Sequence, residues 1–199
     1  MSDPSSYYDA EAPAYDESRG GPARATAAAD AVLELAPATG VCVDVAGGTG
    51  IVSEQLAVRG LDVVVVDRST GMLRLAASRL SGRVLAADAG RLPFADGSID
   101  LVTTIWLLHL IPRDADAVMA EAARILRPGG MFVTTVDKDL AHRATRRSDA
   151  DEPARITRVL DGLGLRPAGA TSFQGETRWS TPGRADRQVF GVAGFRKVT

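Results

Sequence analysis

The sequence predicts an α/β fold: a doubly wound, seven-stranded, mostly parallel sheet with helices on both faces and the last strand antiparallel. Three observations predict it. Short, nearly all-apolar runs alternate with helix-like stretches, the pattern of βαβ units whose strands are buried on both faces. A glycine-rich turn, Gly47-Gly48-Thr49-Gly50, follows the first of these runs. An acid, Asp67, closes the second run twenty residues beyond Gly47, where an open α/β sheet delivers a carboxylate to ribose hydroxyls.

The elements follow in order. Residues 1–21 hold Pro4, Pro13, Gly20 and Gly21 among Ser, Asp and three tyrosines, and read as a loose arm. Pro22 suits a first helical turn, and an Ala-rich helix is expected from there to about Ala36, before Pro37. Residues 41–46 make the first strand, and 50–59 a helix stopped by Gly60. Residues 61–66 make the second strand, and 71–80 a helix with Met72, Leu73, Leu75 and Ala76 inward. The third strand, 83–87, ends in Asp88, and Pro93 and Asp96-Gly97 punctuate the loop after it. The fourth strand covers 99–106, and a helix over 114–126 gives way at Arg127-Pro128-Gly129-Gly130 to a fifth strand at 131–136. A polar stretch runs from Asp137 to Ala150, then a helix is expected over 153–163 and strands at 168–173 and 188–195. Residues 174–187 carry no apolar helical repeat, so this final pair is expected to be antiparallel. No repeat or low-complexity linker divides the chain, which reads as one domain over 1–199: an arm (1–21), a cofactor-binding core (22–137), and a helix with a strand pair (138–199).

Composition narrows the function. A 199-residue chain that is 45% hydrophobic and 24% charged is an ordinary soluble domain with its own core. A net charge of -2 argues against a broad nucleic-acid surface, leaving only a local basic patch at Arg143, Arg146 and Arg147. Cys42, the single cysteine, lies in the first strand and reads as a small buried hydrophobe, with no intramolecular disulfide. No run is long and apolar enough to span a bilayer, and residues 1–14 lack a signal-peptide apolar region, so a cytoplasmic location is expected. With His109, His142 and one cysteine, the sequence offers no metal cluster.

Which ligand the turn holds can be narrowed by spacing. A nicotinamide dinucleotide asks for G-x-G-x-x-G, and reading from Gly48 the third glycine place holds Ser53; reading from Gly47, the second holds Thr49. A phosphate loop fits worse, because no Gly-Lys-Ser/Thr triplet occurs. The turn instead resembles the first motif of the class I S-adenosylmethionine-dependent methyltransferases, in which an acid within strand one precedes a glycine-rich turn: Asp44-Val45-Ala46-Gly47-Gly48-Thr49-Gly50. Ala46 stands where most members have the first glycine. Four further blocks agree in order and spacing: Asp67-Arg68-Ser69-Thr70-Gly71-Met72-Leu73; Ala87-Asp88-Ala89 with the run from Leu92 to Asp100; Leu107-Leu108-His109-Leu110; and Leu126-Arg127-Pro128-Gly129-Gly130. The arm, Tyr8-Asp9 … Tyr15-Asp16 … Arg19-Gly20, is similar to the start of the ubiquinone/menaquinone-type small-molecule branch. The resemblance is close over about residues 7–137.

The resemblance implies a Rossmann-like fold, S-adenosylmethionine as methyl donor and S-adenosylhomocysteine as product. It implies roles as well. Asp44 acts below the turn, ordering backbone amides and facing the methionine ammonium; Ala46, Gly47 and Gly48 let the methionine part approach. Asp67 accepts both ribose hydroxyls, Arg68 and Met72 flank the adenine, and Asp88 accepts from its amino group while the Ala89 amide donates to a ring nitrogen. Ile105 and Trp106 border the cofactor at the end of strand four, and Tyr15 and Arg19 close over its carboxylate. Asp44 as a buried acid satisfied by its turn, and Met72 as helix core, remain open readings.

The methyl acceptor is less defined. A sulfonium leaving group needs no protonation, so the protein must position a nucleophile and, for a hydroxyl or ammonium, take a proton. His109, after strand four, and His142, in the polar stretch after strand five, are the candidate bases. Trp106 could wall the pocket, and Trp179, in the 174–187 connection, could reach over it. No cap is inserted between strands four and five, which suggests a small or exposed acceptor or a pocket completed by a second subunit in a homodimer. O-, N- and C-methylation stay open, as does a second reading: a cofactor-binding protein of this fold without methyl transfer, acting as a non-redox catalyst or partner subunit.

Overall fold

The computed structural model describes residues 4–138, 148–177 and 186–198. Seven strands form one sheet in the order β3-β2-β1-β4-β5-β7-β6. They are β1 (Val41–Val45), β2 (Asp62–Asp67), β3 (Val84–Ala86), β4 (Ile99–Thr104), β5 (Leu126–Val136), β6 (Leu165–Thr177) and β7 (Asp186–Lys197). β1 pairs in parallel with β2 on one side and β4 on the other. The strand order therefore reverses at β1, and the crevice beyond the carboxyl ends of β1 and β4 is where open α/β sheets hold ligands. β7 runs antiparallel between β5 and β6, as the missing helical repeat in 174–187 predicts.

Period-2 alternation assigns the core. Val43 and Val45 of β1 join Val102, Met119, Phe132 and Ile156 on one face, under the helices α6 (Ala115–Ile125) and α7 (Pro153–Gly162). Cys42 points the other way, with Val63, Leu101 and Val133, into the layer made by α3 (Gly21–Leu35) and α4 (Ile51–Ala57). α5 (Thr70–Arg79) covers Val65 on that same face through Leu73 and Ala76. Ala25, Ala28, Ala29 and Ala31 keep the contact of α3 with the sheet close, each nearly inaccessible. Cys42 is fully buried and the Cys42 thiol is pushed well up by burial, which agrees with an inert hydrophobe.

Three expectations are corrected. The arm is not loose where it is described: it forms α1 (Pro4–Glu11), a 3-10 turn at Ala12–Ala14 and the short α2 (Tyr15–Ser18). Local composition gave no helical signal there because the segment is held by contacts with distant residues, set out below. The fourth strand stops at Thr104, two residues early, because Trp106 adopts a left-handed backbone (φ 62°) that no strand can carry. The Arg127–Gly130 block does not interrupt the fifth strand: β5 begins at Leu126, opposite Ile99, and absorbs the block as a register shift before Met131 meets Leu101. His142, Trp179 and the Arg143, Arg146, Arg147 patch lie outside the described residues.

Candidate functional site

The turn after β1 is built from left-handed residues. Ala46 (φ 57°), Gly48 (φ 58°) and Gly50 (φ 73°) alternate with ordinary ones, and Gly50 caps the start of α4. At Ala46 that conformation costs roughly 1–2 kcal/mol, which is why a glycine is the usual occupant. Gly47 tolerates nothing larger, since a Cβ there would lie 2.8 Å from Asp44 Oδ2. A Cβ on Gly48 would meet no atom within 4 Å, so the space beside this residue is open. Left-handed non-glycine residues recur at the carboxyl ends of the neighbouring strands: Trp106 after β4 and Asp137 (φ 52°) after β5. Strained backbone of this kind, gathered at one sheet edge, is characteristic of functional sites.

Asp44 is the floor of the turn. It is 2% exposed, and its two oxygens accept from Thr103 Oγ1 at 2.7 Å and Ser53 Oγ at 2.5 Å. Its described partners are thus hydroxyls from β4 and α4 rather than turn amides. Burial raises its pKa, and the Ser53 and Thr103 hydroxyls work against that rise. Ser53, which spoils the dinucleotide fingerprint, fixes this carboxyl.

Asp67 ends β2 with both oxygens engaged. Gly48 N donates to Oδ2 at 2.9 Å and Ser69 N to Oδ1 at 2.8 Å. One carboxylate therefore ties the glycine turn to the start of α5, and the Arg68 amide bears on it as well. Burial pulls its pKa up and the amides of Ser69 and Gly48 pull it down. Ser69 caps α5, accepting from Met72 N at 3.1 Å. Met72 itself is 2% exposed, so most of its surface serves packing. Asp88 Oδ1 accepts from Gly90 N at 2.8 Å, while its Oδ2 stands 3.9 Å from Arg68 Nη1, both side chains more than half exposed. Ala89 packs at the margin of the α6-side core. Ile105 is buried and Trp106 half-buried, the latter's amide donating to Thr135 Oγ1 at 2.7 Å.

The arm lies over these elements, and sequence reasoning missed how. Asp9 Oδ1 accepts from Ser69 Oγ at 2.6 Å and Gly71 N at 2.7 Å, joining the α5 cap. A Cβ on Gly71 would sit 2.9 Å from Asp9 Cα, so this glycine admits the arm. Asp16 Oδ1 accepts from Thr49 Oγ1 at 2.5 Å, and Arg79 donates to both Asp16 (2.7 Å) and the Thr49 carbonyl (2.6 Å). The only sequence signal was the tyrosine–aspartate repeat, because these partners lie dozens of residues away. Tyr8 is pushed up to about 12, chiefly by burial. Tyr15 is also raised by burial and feels both Asp67 and the arginines Arg19 and Arg24. Arg19 stacks 5.1 Å from the Tyr15 ring centroid.

His109 lies in the 3-10 turn Leu108–Leu110, half-buried, on the edge that β4 opens. Among the described residues no group of three or more His, Cys, Asp or Glu could hold a metal ion. Nor is any described helix long and apolar enough to cross a membrane.

Comparison with known proteins agrees with this geometry. A methyltransferase-domain family model matches residues 43–134, from the middle of β1 to near the end of β5. A demethylmenaquinone methyltransferase of Mycolicibacterium gilvum is 45% identical over 101 residues, 51% of this chain and 43% of that protein. The ubiquinone/menaquinone biosynthesis C-methyltransferase UbiE of Methylobacterium nodulans is 32% identical over 170 residues, 78% of this chain and 66% of its own length. The chain spans about half the length of most curated relatives it matches. Among solved structures, the [4+2]-cyclase SpnF superposes with a TM-score of 0.72 over 98% of this chain and 96% of that one, at 20% identity, a likeness of fold. The switch-point turn, the strand order with β7 inserted antiparallel, and these relatives together place the chain in the class I S-adenosylmethionine-dependent methyltransferase family, among its ubiquinone/menaquinone-type members.

Proposed function

We propose that this chain moves a methyl group from S-adenosylmethionine to a small-molecule acceptor and releases S-adenosylhomocysteine. The observation that carries the reading is Asp67, whose carboxylate bridges the glycine turn and the α5 cap at the sheet's switch point. The residues present fit the cofactor: open space beside Gly48, a Gly47 too close to Asp44 for any side chain, and an acceptor-only carboxylate at the end of β2 to meet a ribose hydroxyl. Asp67 would hold the ribose, and Asp88, Ala89, Arg68 and Met72 would surround the adenine. Ala46, Gly47 and Gly48 would admit the methionine part above Asp44, with Tyr15 and Arg19 at its carboxylate and Ile105 and Trp106 beside it.

When bound, the cofactor supplies an electrophilic methyl on a sulfonium. The protein's part is then alignment and water exclusion, worth several orders of magnitude in rate for a well-positioned pair. The arm, clasped at Ser69, Gly71, Thr49 and Arg79, contributes the exclusion. Where the acceptor must lose a proton, His109 is the described imidazole on the β4 edge and the candidate base, with His142 the second candidate. The relatives' names point to a quinone-type acceptor as the first to test. The reading is tested with methyl-labelled S-adenosylmethionine and a panel of hydroquinones, phenols, amines and carboxylic acids. Label appearing in one class supports it; S-adenosylhomocysteine binding with no transfer to any class would favour the non-methylating alternative.

A further inference from the structure

The connection from β3 to β4 is a crossover without a helix. Parallel strands are usually joined through one, which satisfies the backbone groups of the connection internally. Here residues 87–98, all of them described, form turns and bends instead. The turn at the head of this segment carries Asp88 and Ala89. Arg91 N closes it by donating to the Asp88 carbonyl at 3.0 Å, and Asp88 Oδ1 accepts from Gly90 N within it. Its entry is tied to β2, because Ala87 N donates to the Asp67 carbonyl at 3.2 Å. Asp67 thus anchors this turn through its backbone while its side chain holds the glycine turn.

The exit is tied to α6 by two side chains three residues apart. Leu92 N donates to Glu121 Oε2 at 2.7 Å. Arg124 Nη2 donates to the Leu92 carbonyl at 2.8 Å, and Nη1 donates to the Phe94 carbonyl at 2.8 Å and to Asp96 Oδ1 at 2.6 Å. Nε and Nη2 of Arg124 also donate to the two Glu121 oxygens, each at 2.8 Å. The whole donor fork of the guanidinium is therefore in use, a geometry that a lysine ammonium cannot reproduce. Arg124 and the Leu92 amide hold the Glu121 carboxyl below its usual range. The Leu92 side chain is buried in the α6-side core, and Gly97 N and Ser98 N end the segment on the Arg124 and Ile125 carbonyls. Arg124 keeps 32% of its side chain exposed, so its ion pairs add little stability. What the fork supplies is a fixed course for a helix-less loop directly after Asp88.

We propose that Arg124 and Glu121 are positioning residues for the adenine of the cofactor. They fix the exit of the Asp88–Arg91 turn, and with it the reach of Asp88 and the Ala89 amide toward the amino-bearing edge of the ring. This rests on the methyl-donor reading of the glycine turn. Both residues act through the turn. Since its entry is held separately by Asp67, loosening the exit blunts recognition of the base and spares the ribose.

The test is calorimetry on the full chain with S-adenosylhomocysteine and with S-inosylhomocysteine, whose ring has a carbonyl in place of the amino group and a protonated N1. The native protein should bind the adenine compound at least tenfold tighter. Arg124→Gln should cut that ratio at least fivefold, and Arg124→Lys should not restore it. Glu121→Gln keeps one accepting oxygen for Leu92 N and should cut it by less, about two- to threefold. Both ligands meet the same folded molecules, so a loss of folded protein cancels from the ratio. Val118→Ala, which thins the buried packing of the same helix, should leave the ratio within twofold. A native ratio near one with S-adenosylhomocysteine bound overturns the proposal and leaves the methyl-donor reading standing. So does an unchanged ratio in Arg124→Gln, or an equal loss in Val118→Ala. If Arg124→Gln does not fold, an unchanged ratio in Glu121→Gln overturns it instead. Failure of both ligands to bind removes the methyl-donor reading, and the proposal with it.

Discussion

On the β1–β2 side of the sheet edge, Asp44, Asp67, Asp9 and Asp16 each accept at least two hydrogen bonds from amides, hydroxyls or Arg79. On the β4–β7 side, Arg24, Trp106 and Gln188 each keep a buried polar atom without a partner. The acids make their own scaffold, so that side is shaped before any ligand arrives, as the proposed cofactor site requires. The cationic side keeps donors and an acceptor that no described residue satisfies. The two sides meet at Tyr15, within the electrostatic reach of both.

The comparison can be broken most forcefully at Asp67. Asp67→Ala removes the ribose acceptor and frees Gly48, and S-adenosylhomocysteine should bind ten- to a hundredfold more weakly, roughly 1.4–2.8 kcal/mol. Unchanged affinity by calorimetry would sink the ribose assignment. Thr103→Val comes next. It leaves a buried Asp44 oxygen without its hydroxyl and should lower unfolding free energy by about 1.5–3 kcal/mol in denaturant titration; a loss below half a kcal/mol would mean that Asp44 is not held through β4. Arg79→Ala should cost about 1 kcal/mol, a modest figure because the ion pair with Asp16 is partly exposed. Limited proteolysis within the arm should rise several-fold, and an arm that stays resistant would show that Asp9 alone secures it.

The smallest effect is a pH dependence. Burial raises the Asp67 pKa above 3.8, so the fold favours its protonated form. In the unliganded chain this contributes stability below 3.8 that is lost as pH rises through the raised value. Ribose hydroxyls need the carboxylate, so ligand binding runs the opposite way. The rise in Tm brought by S-adenosylhomocysteine should therefore shrink as pH falls toward 3.8, sooner than an ordinary aspartate would dictate. A constant Tm increment across that range would show that Asp67 is not proton-linked to binding.

How much of this was legible in the sequence follows the same division. Asp44, Gly47, Gly48, Asp67 and the strand order were readable because the turn and the acids lie within some twenty residues of one another and obey fixed βα spacing. The last pair's antiparallel pairing was readable from the lack of an apolar helical repeat in the sequence of 174–187. Ser53 and Thr103 as partners of Asp44 were not, since they come from different elements and only folding brings them together. In the sequence Ser53 stands out only as the place where a dinucleotide fingerprint would have glycine. The arm's aspartates belong to a tyrosine–aspartate motif, yet nothing local says that Asp9 will join a helix cap sixty residues later. Arg24 left no trace at all: in an alanine-rich helix it looks like a surface residue, and its burial depends on Gly20, Gly175 and two rings from β7 and the β4 end. The short-range blocks are readable in the sequence, whereas the surroundings of Arg24 are encoded in contacts between distant positions.

The central claim is that the glycine turn and Asp67 hold S-adenosylmethionine rather than a dinucleotide. Calorimetric titration of the native chain with S-adenosylhomocysteine, and separately with NAD, tests it most directly. One equivalent of S-adenosylhomocysteine should saturate the protein while NAD gives no binding heat. Saturable binding of NAD with none of S-adenosylhomocysteine would contradict the account.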